Sequence, residues 1–149
     1  FAMFKHILVP VDGSEFSQKA ATYAAGFAQT MGARITALYV KPPHQLAQAG
    51  EGLLNDLLAP DKLEERVERM AQKCLQDVAQ ACQAVGVPCH TLAVEGDSPA
   101  QAILAAATSE GCDLVLMASH GRTGLERLII GSETQKVLSH TALPVLVYR

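Results

Sequence analysis

A chain of 149 residues, 49% of them hydrophobic and 18% charged, has the composition of one globular domain, and at that length it buries enough surface to fold without a disulfide or a metal. A formal net charge of −3 and a pI near 5.9 speak against a general affinity for nucleic acid or anionic membrane, which needs clustered Lys and Arg. No apolar run approaches the roughly 20 residues of a membrane-spanning helix.

Lys5 and His6 interrupt the first apolar stretch, so no signal peptide is expected and the expected location is the cytoplasm. Phe1 and Ala2 read as a remnant of cloning, with Met3 as the natural start. The continuous apolar run Ile7-Leu8-Val9-Pro10-Val11 predicts a strand covered on both faces, and Asp12-Gly13-Ser14 a turn and helix cap. Ala20, Ala24, Phe27, Ala28 and Met31 then fall on one face of a helix that stops at Gly32. Ile35 to Val40 reads as the second strand.

From Lys41 to Pro60 the pattern breaks, with Pro42, Pro43, Gly50 and Gly52 as punctuation and a helical turn over Leu53 to Leu58. So long a connection is commonly either functional or disordered, and its place after Val40 suits a lid over a ligand. A long amphipathic helix follows, carrying Leu63, Val67, Met70, Cys74, Val78, Cys82 and Val85, and Gly86 ends it. Cys74 and Cys82 share its apolar face, and the four cysteines include no C-x-x-C pair, so they read as inert core thiols suited to a reducing compartment.

The third strand is expected from about Val87 to Val94. Ser98-Pro99-Ala100-Gln101 opens a helix with proline at its first position and a capping-box glutamine, and Gly111 closes it. Leu114 to Ala118 reads as the fourth strand, Ser132 begins a last helix, and Leu143 to Val147 is the fifth strand with Pro144 marking an edge. Strands alternating with helices imply a single doubly wound α/β domain, a five-stranded parallel sheet with helices on both faces. The Ile7 and Leu114 runs are the most uniformly apolar and are the central-strand candidates.

Ligands of open α/β sheets bind beyond the C-terminal strand ends where strand order reverses. That directs attention to Pro10-Val11-Asp12-Gly13-Ser14 and to Ala118-Ser119-His120-Gly121-Arg122-Thr123-Gly124, which runs on to Gly131-Ser132-Glu133-Thr134 at a helix start. Glycines let backbone N–H groups approach an anion, the helix N-terminus adds partial positive charge, and Ser132 and Thr134 offer hydroxyls. Neither G-x-x-x-x-G-K-[ST] nor G-x-G-x-x-G nor G-x-S-x-G occurs.

Val9-Pro10-Val11-Asp12-Gly13-Ser14, Ser119-His120-Gly121 through Gly131-Ser132, and Pro144-Val145-Leu146-Val147 together resemble the universal stress protein family, in element order over essentially the whole chain. Its ATP-binding branch carries a glycine, two residues, a second glycine, nine residues, then Gly-Ser or Gly-Thr. Here the second glycine is Gly121, nine residues intervene, Gly131-Ser132 completes the motif, and Ala118 stands at the first glycine position. The resemblance implies strand order 3-2-1-4-5, ATP with Mg²⁺ as ligand, and a homodimer formed through the last strand. It places Pro10, Val11, Val40 and Met117 along the nucleotide, with Val40 lining the adenine. The backbone at Ala118 would meet the ribose, Asp12 the ribose or a phosphate-bound metal, and Gly121, Gly131, Ser132 and Thr134 the phosphates. His120, Arg122 and Glu133 lie in the same loop and helix start.

Other readings stand beside these. Asp12 can equally cap the first helix, as can Ser14, and Gly131-Ser132 with Gln135 is also a plain capping box. Glu133 would repel a phosphate unless its side chain points away. Alanine at position 118 is compatible with a backbone contact provided its φ is negative and space remains for the added methyl group. His120 is expected to be structural or a ligand contact, and Arg122 either reaches phosphate or is solvated. The function expected is a nucleotide-dependent stress-response regulator with an unidentified protein partner and at most slow ATP hydrolysis. The alternatives are a nucleotide-free homodimeric interaction module and, third, a nucleotide hydrolase or nucleotidyl-transferring enzyme.

Overall fold

The computed structural model describes residues 2–43, 60–121 and 130–149. Five strands, β1 (His6–Val11), β2 (Arg34–Lys41), β3 (Cys89–Glu95), β4 (Leu114–Ala118) and β5 (Val145–Tyr148), form one parallel sheet in the order β3-β2-β1-β4-β5. Between them run α1 (Glu15–Met31), α2 (Pro60–Ala84), α3 (Pro99–Ser109) and α4 (Ser132–His140). Of the expected lid over 41–60, Lys41 ends β2 and Pro60 opens α2, while residues 44–59 with the expected helical turn lie outside the described residues, as does Arg122.

Each strand's alternation feeds two cores. Ile7, Val9 and Val11 of β1 with Leu114, Leu116 and Ala118 of β4 face α1 and α2, while Leu8, Val115 and Met117 face α3 and α4. Both faces are thus covered, which explains why β1 and β4 read as unbroken apolar runs. β1 is the middle strand and β4 its neighbour, as their composition foretold. Ala20, Ala21, Ala24, Ala25 and Ala28 are all buried on α1, and such short side chains let the helix lie close on the sheet. Burying a large side chain such as Leu116 contributes roughly 1.5–3 kcal/mol.

Two strands start two residues later than expected, each at a proline. β3 begins at Cys89 because Val87 N–H still bonds the Cys82 carbonyl and Pro88 has no N–H to offer the ladder. β5 begins at Val145 for the same reason, though the Pro144 carbonyl accepts from Val115 N. The helix stops are as expected: Gly32, Gly86 and Gly111 all take positive φ.

At the far end of the sheet from the strand C-termini, His6 is buried, with Nε2 2.7 Å from Thr36 Oγ1. Burial, then the positive charge of Arg34, holds its pKa below the ordinary 6.5, against the opposing pull of Glu110 and Asp113. The unfolded chain therefore binds the extra proton first, and stability falls as pH drops through 6.5 towards the folded value. Urea midpoints measured from about pH 7 down to about pH 5 should decline less steeply in His6→Gln than in the parent.

Candidate nucleotide site

The strand order reverses between β1 and β4, and three segments converge beyond their C-terminal ends. Asp12 and Gly13 leave β1, Ser119, His120 and Gly121 leave β4, and Gly131 opens α4. Gly131 N–H donates to the Ser119 carbonyl at 2.7 Å, which clamps the two ends of the loop between them. A Cβ at Gly131 would lie 3.2 Å from that carbonyl oxygen, and one at Gly121 would lie 2.8 Å from Asp12 Oδ2. Neither glycine has a positive φ, so close approach and not backbone conformation selects glycine at both.

Asp12 does not cap α1. Ser14 does, its Oγ accepting from Ser17 N at 3.1 Å, while Asp12 Oδ1 accepts from Ser14 N at 2.9 Å. That turn aims Oδ2 at Gly121 across the switch point. The capping-box reading of α4 also fails: its N-cap is Gly131, which contributes no side-chain bond, and Gln135 Nε2 donates to the Ile130 carbonyl instead. The helix thus presents first-turn N–H groups, which no intrahelical carbonyl can satisfy, beside the exposed Ser132.

Glu133 is turned to a neighbour. Its Oε2 accepts from Ala100 N in the first turn of α3 at 3.0 Å, and its Oε1 pairs with Lys136 Nζ at 3.1 Å. The charge that threatened phosphate binding therefore serves the N-terminus of α3. Thr134 is buried and its Oγ1 donates to the Ala118 carbonyl at 3.0 Å, tying α4 to the end of β4. Among the described residues no non-glycine has a positive φ, so Ala118 meets the first of the two conditions under which it substitutes for glycine.

His120 is buried against Phe16, ring centroids 5.6 Å apart, and its Nδ1 shares a 2.8 Å hydrogen bond with Ser119 Oγ. Its Nε2 is enclosed and has no partner among the described residues. Met117 packs into the core towards α3 and α4, and Val40 lies partly buried at the end of β2 on the same side. Pro10 and Val11 complete β1, Val11 packing towards α1 and α2. The residues that sequence reasoning overlooked are positional: the Ser119 carbonyl and the Ala100 N–H. Both act through the backbone, so side-chain type carries no sign of them.

The universal stress protein family model matches residues 3–149. A universal stress protein of Thermus aquaticus is 33% identical over 99% of this chain and all of its own. The solved structure of universal stress protein UspA from Lactobacillus plantarum superposes with a TM-score of 0.77, 29% identity and full coverage of both chains. The universal stress protein from Archaeoglobus fulgidus in complex with dAMP covers both chains fully at TM-score 0.69, and its 14% identity makes that a likeness of fold alone. Among the described residues no helix is long and apolar enough to cross a membrane.

Proposed function

This chain belongs to the universal stress protein family, and on that premise we propose that it is an ATP-binding stress-response regulator whose bound nucleotide alters its shape, dimerisation or partner choice. The observation that carries the reading is the cradle at the β1–β4 switch point, where Asp12, Gly121 and Gly131 approach too closely to admit a Cβ at Gly121 without movement. The withdrawal of Glu133 to α3 and the uncapped start of α4 add to it.

In this reading the phosphates lie against Gly121, Gly131 and Ser132, whose backbone N–H groups and hydroxyl suit anionic oxygens. Thr134 braces that surface from behind, and the backbone at Ala118 meets the ribose. Asp12 Oδ2 takes a ribose hydroxyl or a phosphate-bound Mg²⁺, and Val40 lines the adenine. Among the described residues no cluster of three His, Cys, Asp or Glu could hold a metal, so Mg²⁺ would be held mainly by the phosphates, as is usual for that ion. The His120 ring is enclosed and engaged with Ser119, an arrangement that suits holding the loop better than moving a substrate proton. Hydrolysis is therefore slow at most.

The nucleotide-free interaction module is the second reading, favoured by Ala118 at the first glycine position. Both readings share a homodimer through β5, which ends the sheet as an edge strand and is half-buried along its length. One measurement separates them: denature the purified protein, chromatograph the supernatant, and titrate any empty sample with ATP–Mg²⁺ in a calorimeter. About one adenine nucleotide per chain, or saturable heat, is the expected result. Neither nucleotide nor heat would transfer the proposal to the interaction module.

A further inference from the structure

Cys82 and Cys89 meet where α2 hands over to β3. Cys82 is fully buried on α2, in the core that this helix shares with α1 and the sheet. Cys89 is paired in register with Ile35, which places its side chain on the sheet face that α2 covers, and it packs partly buried against that same core. The turn between them is tightly closed: Val85 N and Val87 N both bond the Cys82 carbonyl, at 3.2 and 2.9 Å, and Gly86 adopts φ 74°. The chain therefore reverses and returns Cys89 to the core face that holds Cys82, where the two thiols are close enough to perturb each other's ionisation, while Cys89 Sγ lies 3.9 Å from the His90 carbonyl.

We propose that this pair is a redox site, in which Cys82 and Cys89 form a reversible intramolecular disulfide on exposure to a hydroperoxide. The partly exposed Cys89 reacts first. Its thiolate attacks the outer peroxide oxygen, the O–O bond breaks, and the leaving oxygen takes a proton, so that Cys89 becomes a sulfenic acid. Cys82 sulfur then attacks the Cys89 sulfur, the S–O bond breaks, and hydroxide leaves as water with the Cys82 proton. In sum, two thiols and one hydroperoxide yield one disulfide, one water and one alcohol, or a second water from hydrogen peroxide itself.

The ionisation of the pair supports this order. The mutual influence of the two thiols lowers the pKa of Cys89, against the opposing effect of burial, and raises that of Cys82, which burial raises further. The lower pKa therefore falls on the residue that solvent reaches, the one the peroxide meets first. Once Cys89 is a sulfenic acid its negative charge is gone, and with it that obstacle to ionising Cys82. The remaining cysteines are unsuited to the reaction. Cys112 is buried, and burial followed by the charges of Glu110 and Asp113 pushes its thiol up to about 11. Cys74 is buried too.

Oxidation would pin the C-terminal end of α2 to the first residue of the edge strand β3. The test is to treat the folded protein with equimolar hydrogen peroxide, quench, denature, alkylate, and cleave after Asp and Glu. Cleavage after Asp77 and Glu95 releases a fragment, Val78 to Glu95, that holds Cys82 and Cys89 but neither Cys74 nor Cys112. The expected fragment is lighter by two hydrogens, unalkylated, and restored to doubly alkylatable form by dithiothreitol. Cys89→Ser should leave Cys82 alkylatable, and Cys82→Ala should halt at a sulfenic acid on Cys89 that dimedone traps. Peroxide treatment of the parent in urea should scatter the pairing among all four cysteines, which tests the role of the fold without any variant. A parent fragment that stays fully alkylatable, or that gains oxygen instead of losing hydrogen, would overturn the proposal.

Discussion

Gly121→Val should weaken ATP binding by about 100-fold or more, about 2.7 kcal/mol, while lowering the melting temperature by about 2–12 °C. The cause is steric. A Cβ at this position lies 2.8 Å from Asp12 Oδ2, closer than real Cβ atoms come to any neighbour. Asp12 cannot simply swing aside, because its other oxygen is held by Ser14 N at 2.9 Å, in the turn that leads into α1. The valine must therefore move either the loop or the carboxylate, and both belong to the proposed ribose and phosphate contacts. Overpacking at a loop costs about 1–3 kcal/mol of stability, and about 2–4 °C per kcal/mol for a chain of this size. Calorimetric titration beside a thermal melt reads both quantities. Unchanged affinity in a folded variant would mean that the glycine loop does not hold the nucleotide.

Thr134→Val should show a different balance, with a comparable loss of stability and a much smaller loss of affinity. Valine keeps the shape of threonine but cannot donate to the Ala118 carbonyl, the 3.0 Å bond that ties α4 to β4 in a buried setting. Leaving a buried acceptor without its donor costs about 1–3 kcal/mol, which is roughly 2–12 °C in melting temperature. The urea midpoint should fall with little change in slope, since the exposed surface of unfolding is the same. Thr134→Ser keeps the donor and should recover most of the loss. If Thr134→Val melted like the parent yet bound ATP far more weakly, the hydroxyl would be a phosphate ligand and not a brace.

The pairing of these two residues shows how differently sequence informs on neighbouring positions. Gly121 and Gly131 read as a candidate ligand loop because glycine at a strand end, spaced from a helix start, lets backbone approach closely, and that close approach is what the structure shows. Thr134 looked like a third phosphate donor by the same logic, but its hydroxyl turned inward to a carbonyl sixteen positions earlier. Glu133 looked like an obstacle. Its carboxylate found the first turn of α3, thirty-three positions away, and a partner so distant leaves no local trace. Asp12 was open between cap and ligand, and the structure resolved the first half: Ser14 caps, and Asp12 bonds Ser14 N.

What the sequence determined by itself was the alternation of elements, their covered faces and most of their ends. Those follow from interactions within a few residues: apolar periodicity, serine caps at Ser14 and Ser98, and left-handed glycines at Gly32, Gly86 and Gly111. The strand order came from a resemblance and was met in full. What only the tertiary structure decided was which side chains face which partners across the switch point and across the α2–β3 turn. Those contacts join segments far apart in the chain or on different elements, and a polar group takes whichever partner the packed backbone brings within hydrogen-bond reach. Identity sets what Asp12, Glu133, Thr134 and Cys89 are able to bond, and the fold sets which partner each of them meets.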